Sequence, residues 1–307
     1  MTSRPLIIGS RNSRLALWQS NHIKAQLEGL YPNLPLKINT IRTTGDRWTD
    51  APLHKIGGKG VFTKEIEEAL LKNEIDLAVH SLKDLPTTLP EGLCLGAITK
   101  RDDPRDAFLS NQFSHLSELP PQSTVGTSSL RRQSQLLHFR PDLTVKNLRG
   151  NLDSRLRKLD QGDYDGIILA CAGLIRLDLD HRIRERIPMD QICSAIGQGS
   201  LAIEVRSNDQ LTLETIRSLE DRDSRLAAEA ERALLTQLGG GCQVPIAGFA
   251  YVTKGQLHLT GLVGSIDGTR VIRESEQSTT DTPEKLGILV AQRLLRRGAD
   301  EILGQME

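Results

Sequence analysis

Apolar residues recur in two alternating rhythms over the first two thirds of the chain. Leu6-Ile-Ile8, Ile75-Asp-Leu-Ala-Val79 and Gly166-Ile-Ile-Leu-Ala170 are short apolar runs of strand length. Leu36, Ile38 and Thr40 alternate with polar neighbours, as along a half-buried strand. Between these runs the apolar residues keep helical spacing. Leu17, Ile23, Leu27 and Leu30 follow Ser13, whose hydroxyl suits a helix N-cap. Ile66, Ala69 and Leu70 form the inward face of a helix over Thr63–Lys72. Thr43–Phe62 breaks the rhythm with glycines and polar residues and reads as a long loop.

The rhythm restarts after Lys100-Arg-Asp-Asp-Pro104, a charged, proline-bearing linker. It predicts a strand ending at Thr124–Gly126, a helix over Ser129–Phe139, a strand over Leu143–Leu148 and a helix over Leu152–Leu159. Ile196-Gly-Gln-Gly-Ser-Leu-Ala-Ile-Glu204 then leads back to the first lobe. Two crossings between two α/β lobes predict a hinged binder whose ligand sits at the carboxyl ends of the strands. Gly9-Ser-Arg-Asn-Ser-Arg-Leu15 and Gly126-Thr-Ser-Ser-Leu-Arg-Arg132 place glycine, hydroxyls and arginine at the same strand-to-helix step. Duplication and convergence both account for that echo. The remainder changes character. Asp223–Leu238 is a helix with Leu226, Ala230, Ala233, Leu234 and Leu238 on one face, stopped by Gly239–Gly241. Phe249–Val252, Leu257–Val263 and Arg270–Glu276 read as strands and Pro283–Arg297 as a last helix. The expected domains are 1–99 with 200–217, 105–193, and 222–307.

Charge narrows the function. Lys plus Arg and Asp plus Glu are both 39, and aromatics are 3%. A nucleic-acid binder shows a basic excess and aromatic stacking platforms, so a small anionic ligand fits better than a polymer. No apolar run spans a bilayer and no secretory signal is visible, so neither membrane nor export is expected. The four cysteines, Cys94, Cys171, Cys193 and Cys242, are scattered without a CxxC. That argues against a zinc site or disulfide framework and for a reducing cytoplasm.

The candidate chemistry is concentrated in a few places. Thr127, Ser128 and Ser129 stand at a predicted helix N-terminus, where free N–H groups favour an anion. Arg131 and Arg132 add planar forks suited to carboxylates. Arg149 and Arg155 repeat the device one unit later, Arg176 follows the next strand, and Arg11 could join from the other lobe. The alternative is a set of solvated arginines beside acidic neighbours; the hydroxyl-rich N-termini weigh against it. No Walker A loop is present, and Gly197-Gln-Gly-Ser-Leu-Ala202 runs into a strand, not the helix a dinucleotide fingerprint needs. Lys83 and Asp84 leave a buried strand, where Asp84 could stabilise a developing cation; an exposed Lys-Asp turn before Pro86 is the other reading. Cys242 follows a helix C-terminus, which disfavours a thiolate, so it reads as a once-alkylated tether or as a structural cysteine in a helix-stop turn.

With those residues in view, the chain resembles the porphobilinogen deaminase (hydroxymethylbilane synthase) family over essentially its whole length. The matching motifs are Arg11-x-Ser13 with Gln19, Lys55-Ile-Gly-Gly-Lys-Gly60 with Phe62, and His80-Ser-Leu-Lys-Asp-Leu-Pro86. They continue through Arg101-Asp-Asp-Pro-Arg-Asp106, Gly126–Arg132, Leu148-Arg-Gly-Asn151, Gly197-Gln-Gly199 and Gly240-Gly-Cys-Gln-Val-Pro-Ile246. The resemblance implies two periplasmic-binding-protein-like α/β lobes plus a small α+β C-terminal domain. It implies a dipyrromethane cofactor joined by a thioether to Cys242, on which four porphobilinogen molecules condense with loss of ammonia before hydrolysis releases a linear tetrapyrrole. Asp84 is the implied catalytic acid. Arg11, Ser13, Lys83, Thr127, Ser129, Arg131, Arg132, Arg149, Arg155 and Arg176 are the implied holders of acetate and propionate groups. Gln19, Lys59, Ser81 and Gln198 join that binding set, and Phe62 stacks near the rings under a lid at Gly57–Gly60. A monomer without a metal is expected, with uroporphyrinogen III synthase as a downstream partner. Ser154 and Ser200 depart from threonine and alanine of many relatives, which touches only fine positioning. The competing reading is a two-lobed binding module for a small polycarboxylate, disfavoured by the missing export signal and the glycine-flanked cysteine. An ordinary nucleotide-using transferase is disfavoured by the absent phosphate loop.

Overall fold

The computed structural model describes residues 4–47, 62–240 and 244–305. Lys59, the expected lid at Gly57–Gly60 and Cys242 lie outside the described residues. The chain folds into two compact units, Met1–Arg101 with Ser200–Arg225, and Asp102–Gly199 with Leu226–Glu307.

The first unit contains β1 (Leu6–Arg11), α1 (Arg14–Leu30), β2 (Leu36–Ile41), α2 (Thr44–Arg47), α3 (Lys64–Leu71), β3 (Leu77–Ser81) and β4 (Leu93–Ile98). The second contributes β5 (Asp106–Leu109), β6 (Thr124–Gly126), α4 (Leu130–Phe139), β7 (Thr144–Lys146), α5 (Leu152–Asp160), β8 (Gly166–Ala170), α6 (Cys171–Arg176) and β9 (Glu185–Arg186). The chain returns to the first unit for β10 (Leu201–Arg206) and α7 (Gln210–Ile216), and begins α8 (Arg222–Gln237) there. It ends in the second with β11 (Ile246–Thr253), β12 (Gln256–Gly264), β13 (Val271–Thr279), α9 (Pro283–Arg296) and α10 (Ala299–Gly304).

The two large sheets share one topology. In the first, the order is β2-β1-β3-β10-β4; β2 and β3 run parallel to β1, and β10 returns antiparallel with Ala202 opposite His80. In the second, the order is β7-β6-β8-β5-β9; β7 and β8 run parallel to β6, and β5 lies antiparallel to β8. Each sheet is covered on both faces, which is why its central strands are apolar without alternation. Ile23 and Leu27 of α1 pack on Ile8, Leu77 and Ile203, while Ile66 and Leu70 of α3 pack with Ile75 and Ala78. Leu156 of α5 and Leu174 of α6 cover Ile167 and Leu169, and Leu136 of α4 covers Phe108 and Ile168.

The third sheet, β11-β12-β13, is antiparallel. One face packs Ile246, Ala250 and Leu259 against Leu234 of α8 and Val290 of α9, and the other packs Ala247 and Leu262 against Cys193. Glu231 of α8 is wholly buried and accepts from the N–H groups of Gly197, at 2.6 Å, and Ala250, at 2.7 Å. The third sheet therefore shares a compact unit with the second lobe.

Strand β4, the short, charge-headed β5 and β9, and helices α6, α7 and α10 extend the pattern read from sequence. Strand β5 begins with Asp106 and follows the linker directly, so its four residues carry no alternation to detect. Strand β3 starts at Leu77 and runs on through His80 and Ser81, so these two residues end the strand instead of following it. Arg176 closes α6, not a strand.

Burial also traps charge in the first unit. His80 Nε2 lies 3.0 Å from Glu204 Oε2, and both residues are buried. Glu67 of α3 is buried as well; burial, and then the neighbouring Glu204, push its carboxyl above the usual range. A raised folded-state value means that its contribution is fully present below the unfolded value of 4.5 and lost as pH rises through the folded one. Glu67→Gln should therefore melt higher than wild type at pH 7, with the gap closing as pH falls toward 4.5, in thermal scans across pH.

Candidate functional site

The sequence-predicted residues fall into two sets, one on each compact unit. In the first, β1 ends at Arg11 and Ser13 caps α1, its Oγ accepting from Ala16 N at 3.3 Å. The hydroxyl satisfies an N–H that a helix start leaves unpaired. The Arg11 guanidinium lies 4.2 Å from the Phe62 ring centroid, a cation–π distance. Buried Gln19 donates from Nε2 to Ser81 Oγ at 2.8 Å and so ties α1 to the end of β3. One tight turn, Leu82–Asp84, follows; the Leu82 N–H donates to Ser200 O at 3.0 Å. Leu82 is buried, Lys83 half-buried and Asp84 exposed. Asp84 has no hydrogen bond or ion pair with the described residues. A carboxylate on an anchored turn, with no internal partner, is disposed to face an external cation.

The second unit repeats the capped turn twice. Ser129 Oγ accepts from Arg132 N at 3.4 Å to start α4, and Asn151 Oδ1 accepts from Ser154 N at 2.9 Å to start α5. Thr127 Oγ1 accepts from the Ser129 N–H at 3.2 Å. The arginines beside these turns differ sharply. Arg131 and Arg132 are buried and share the carboxylate of Asp106, with nitrogens at 2.8 and 2.7 Å from its two oxygens. Burial alone would raise the Asp106 pKa, but the two guanidiniums and hydrogen bonds from Arg132 and Gln198 outweigh it and hold the group far below the usual range. Buried Gln198 donates to Asp106 Oδ1 at 2.9 Å and to Pro104 O at 2.8 Å. Arg176 is buried too, donating to Asp102 at 2.9 Å and Gly199 O at 2.7 Å. Arg155 donates from Nε to Gly150 O at 2.9 Å.

Arg149 stands apart. Its Nε is buried without a hydrogen-bond partner, and burial pushes its pKa down. No carboxylate among the described residues pairs with it. The open forks expected of Arg131, Arg132 and Arg176 thus have carboxylate partners within the protein, and Arg149 has none among the described residues.

Comparison with known proteins decides what these sets belong to. A family model described as the porphobilinogen deaminase, dipyromethane cofactor binding domain, matches residues 6–214, and the porphobilinogen deaminase C-terminal domain matches 225–296. The chain belongs to the porphobilinogen deaminase family. A porphobilinogen deaminase of Syntrophotalea carbinolica is 50% identical over 100% of this chain and 98% of its own length. Those of Syntrophomonas wolfei and Geobacter sulfurreducens are 48% and 49% identical, over 98% and 100% of this chain and 98% and 96% of their own lengths. A periplasmic substrate-binding protein of an ABC transporter from Coxiella burnetii aligns in structure with a TM-score of 0.45 at 13% identity, over 70% of this chain and 91% of that one.

The site residues fit the cofactor class named in the family description. A pyrrole primer with acidic side chains needs cations not already neutralised by internal anions, and half-buried Arg149 has no carboxylate partner among the described residues. It also needs a thiol for attachment. The described cysteines are poor candidates: burial raises the Cys171 thiol to about 12 and Cys193 to about 11, and also raises Cys94. Helix α8 ends in a Schellman turn, with Gly239 at φ +66°, Gly239 N donating to Thr236 O and Gly240 N to Leu235 O. That turn closes the helix at Gln237 and ends at Gly240, directly before residues 241–243, which include Cys242. Sequence reading did not single out Asp102 or Asp106, although both lie in the Arg101–Asp106 motif. Their pairing with arginines distant along the chain left no local signal.

Proposed function

We propose that this protein is a hydroxymethylbilane synthase. It condenses four porphobilinogen molecules head to tail on a dipyrromethane primer carried by Cys242, releasing one ammonia at each addition. Water then releases the linear tetrapyrrole. The observation that carries this reading is the match of both family domains across the chain, with full-length relatives near half identity. When bound, the primer supplies a nucleophilic pyrrole carbon at which the chain grows. The remaining chemistry belongs to the protein.

Asp84 is assigned to the developing cation left when ammonia departs from porphobilinogen. A carboxylate about 4 Å away at an effective dielectric near 20 contributes roughly 4 kcal/mol, or about a thousandfold in rate. Its lack of a partner among the described residues supports the role, because a salt-bridged carboxylate would have to give up that partner first. Arg149 is assigned to an acetate or propionate group, since binding one would give its buried Nε the partner it lacks among the described residues. Arg11, Ser13, Gln19, Lys59, Phe62, Ser81, Lys83, Thr127, Ser129, Arg131, Arg132, Arg155, Arg176 and Gln198 complete the proposed binding set. The three domains read from sequence, a monomeric state and hand-over to a uroporphyrinogen III synthase belong to the same reading. Cytoplasmic residence accords with Cys94, Cys171 and Cys193 all being free thiols. No helix of the described residues is long and apolar enough to cross a membrane.

Purified protein incubated with porphobilinogen should yield one linear tetrapyrrole and four ammonia for every four substrate molecules consumed. Tight binding of porphobilinogen without ammonia release would support the binding-module reading instead. Asp84→Ala should keep the wild-type melting temperature and lose about a thousandfold in turnover. Near-normal tetrapyrrole formation would remove Asp84 from the mechanism. Arg149→Lys should slow chain growth by about tenfold or more, because an ammonium cannot present the same planar fork. Single-turnover analysis of the elongation steps would read this directly, and unchanged kinetics would exclude a bidentate role.

A further inference from the structure

Asp106 opens β5 and is wholly buried between two guanidiniums. Its oxygens lie 2.8 Å from Arg131 Nη2 and 2.7 Å from Arg132 Nη2. The other amino groups of the pair are fixed to backbone, Arg131 Nη1 to Cys193 O at 2.6 Å and Arg132 Nη1 to Ile168 O at 3.1 Å. Gln135 reinforces this frame by donating to Cys193 O and accepting from Cys193 N. Arg132 Nε is buried and has no hydrogen-bond partner. Among the described residues no second carboxylate pairs with either arginine. Two cations and one anion therefore leave this buried cluster with one positive charge in excess.

We propose that Asp106 is a positioning residue: it holds Arg131 and Arg132 in place before any ligand arrives and leaves the pair with charge for a single ligand carboxylate. Without Asp106, two neighbouring buried guanidiniums would repel each other and draw in water. With a second internal carboxylate, no attraction would remain for an external one. Gln198 holds Asp106 in register without altering the charge, because its amide is neutral. The inference rests on the proposed function for the identity of the ligand, but the charge balance stands without it.

The test compares wild type, Asp106→Ala and Asp106→Asn by intact mass and by melting in sodium formate or in formamide. Asp106→Ala should melt roughly 10 °C below wild type, as expected when buried charges lose their partner. It should carry the two-pyrrole mass on at least about tenfold fewer molecules, from a binding loss of one charge-assisted contact. Formate fits the emptied carboxylate position and should recover most of the lost melting temperature, while uncharged formamide of similar shape should not. Equal recovery by both, or wild-type melting and loading without either, would overturn the proposal. If Asp106→Ala does not fold, Asp106→Asn keeps the shape and removes the charge. It must then carry the two-pyrrole mass on fewer molecules than wild type and melt lower, and wild-type loading and melting would overturn the proposal. Should wild type itself lack the two-pyrrole mass, the functional reading fails, while the formate and formamide comparison still decides the role of Asp106.

Discussion

A guanidinium taken out of water needs an anion, and the second unit is organised by that requirement. Asp106 answers it for Arg131 and Arg132, and Asp102 for Arg176. Arg149 has no such answer within the described residues and keeps a buried, unpartnered Nε. Arg149 is only partly buried, so water still reaches the residue, and a carboxylate is the partner its buried Nε lacks. The same sheet topology positions all four arginines. Two of the βα units, β6–α4 and β7–α5, bring side-chain-capped helix starts and arginines to the carboxyl ends of neighbouring parallel strands, while Arg176 stands at the far end of α6.

The overall neutrality of the chain fits a ligand that is itself strongly anionic. Each porphobilinogen unit adds two carboxylates, so a growing chain accumulates negative charge while the protein does not. In the proposed reading, local cations retain the product of each step, each charge-assisted hydrogen bond contributing about 1.5–3 kcal/mol. Asp84 is an exposed carboxylate on a turn held by the Leu82 N–H to Ser200 O bond, and among the described residues no salt bridge sets its position.

Much of this was legible in the sequence because it rests on local chemistry. Ser13 and Ser129 announce helix starts by standing directly before apolar periodicity, and both accept the capping hydrogen bond. The buried strands around Ile8, Val79 and Ile168 carry their burial in composition. What escaped was non-local. Arg131 and Asp106 are twenty-five residues apart and meet only because β5 pairs antiparallel with β8, a register that no short motif encodes. The wholly buried strand β5 begins with an aspartate and looks like a linker until its arginine partners are known. Strand β3 was placed too early because Ile75 and Leu77 look alike, whereas the register with β10 selects Leu77 to Ser81.

The central claim is a permanent covalent primer in a cationic site, and mass reads it without reference to rate. Untreated protein, weighed under denaturing conditions, should exceed its 33.9 kDa sequence mass by two linked pyrrole units, and Cys242→Ser should weigh what its sequence dictates. A catalytically active protein at its bare sequence mass, or a Cys242→Ser variant that keeps the excess, would contradict the account.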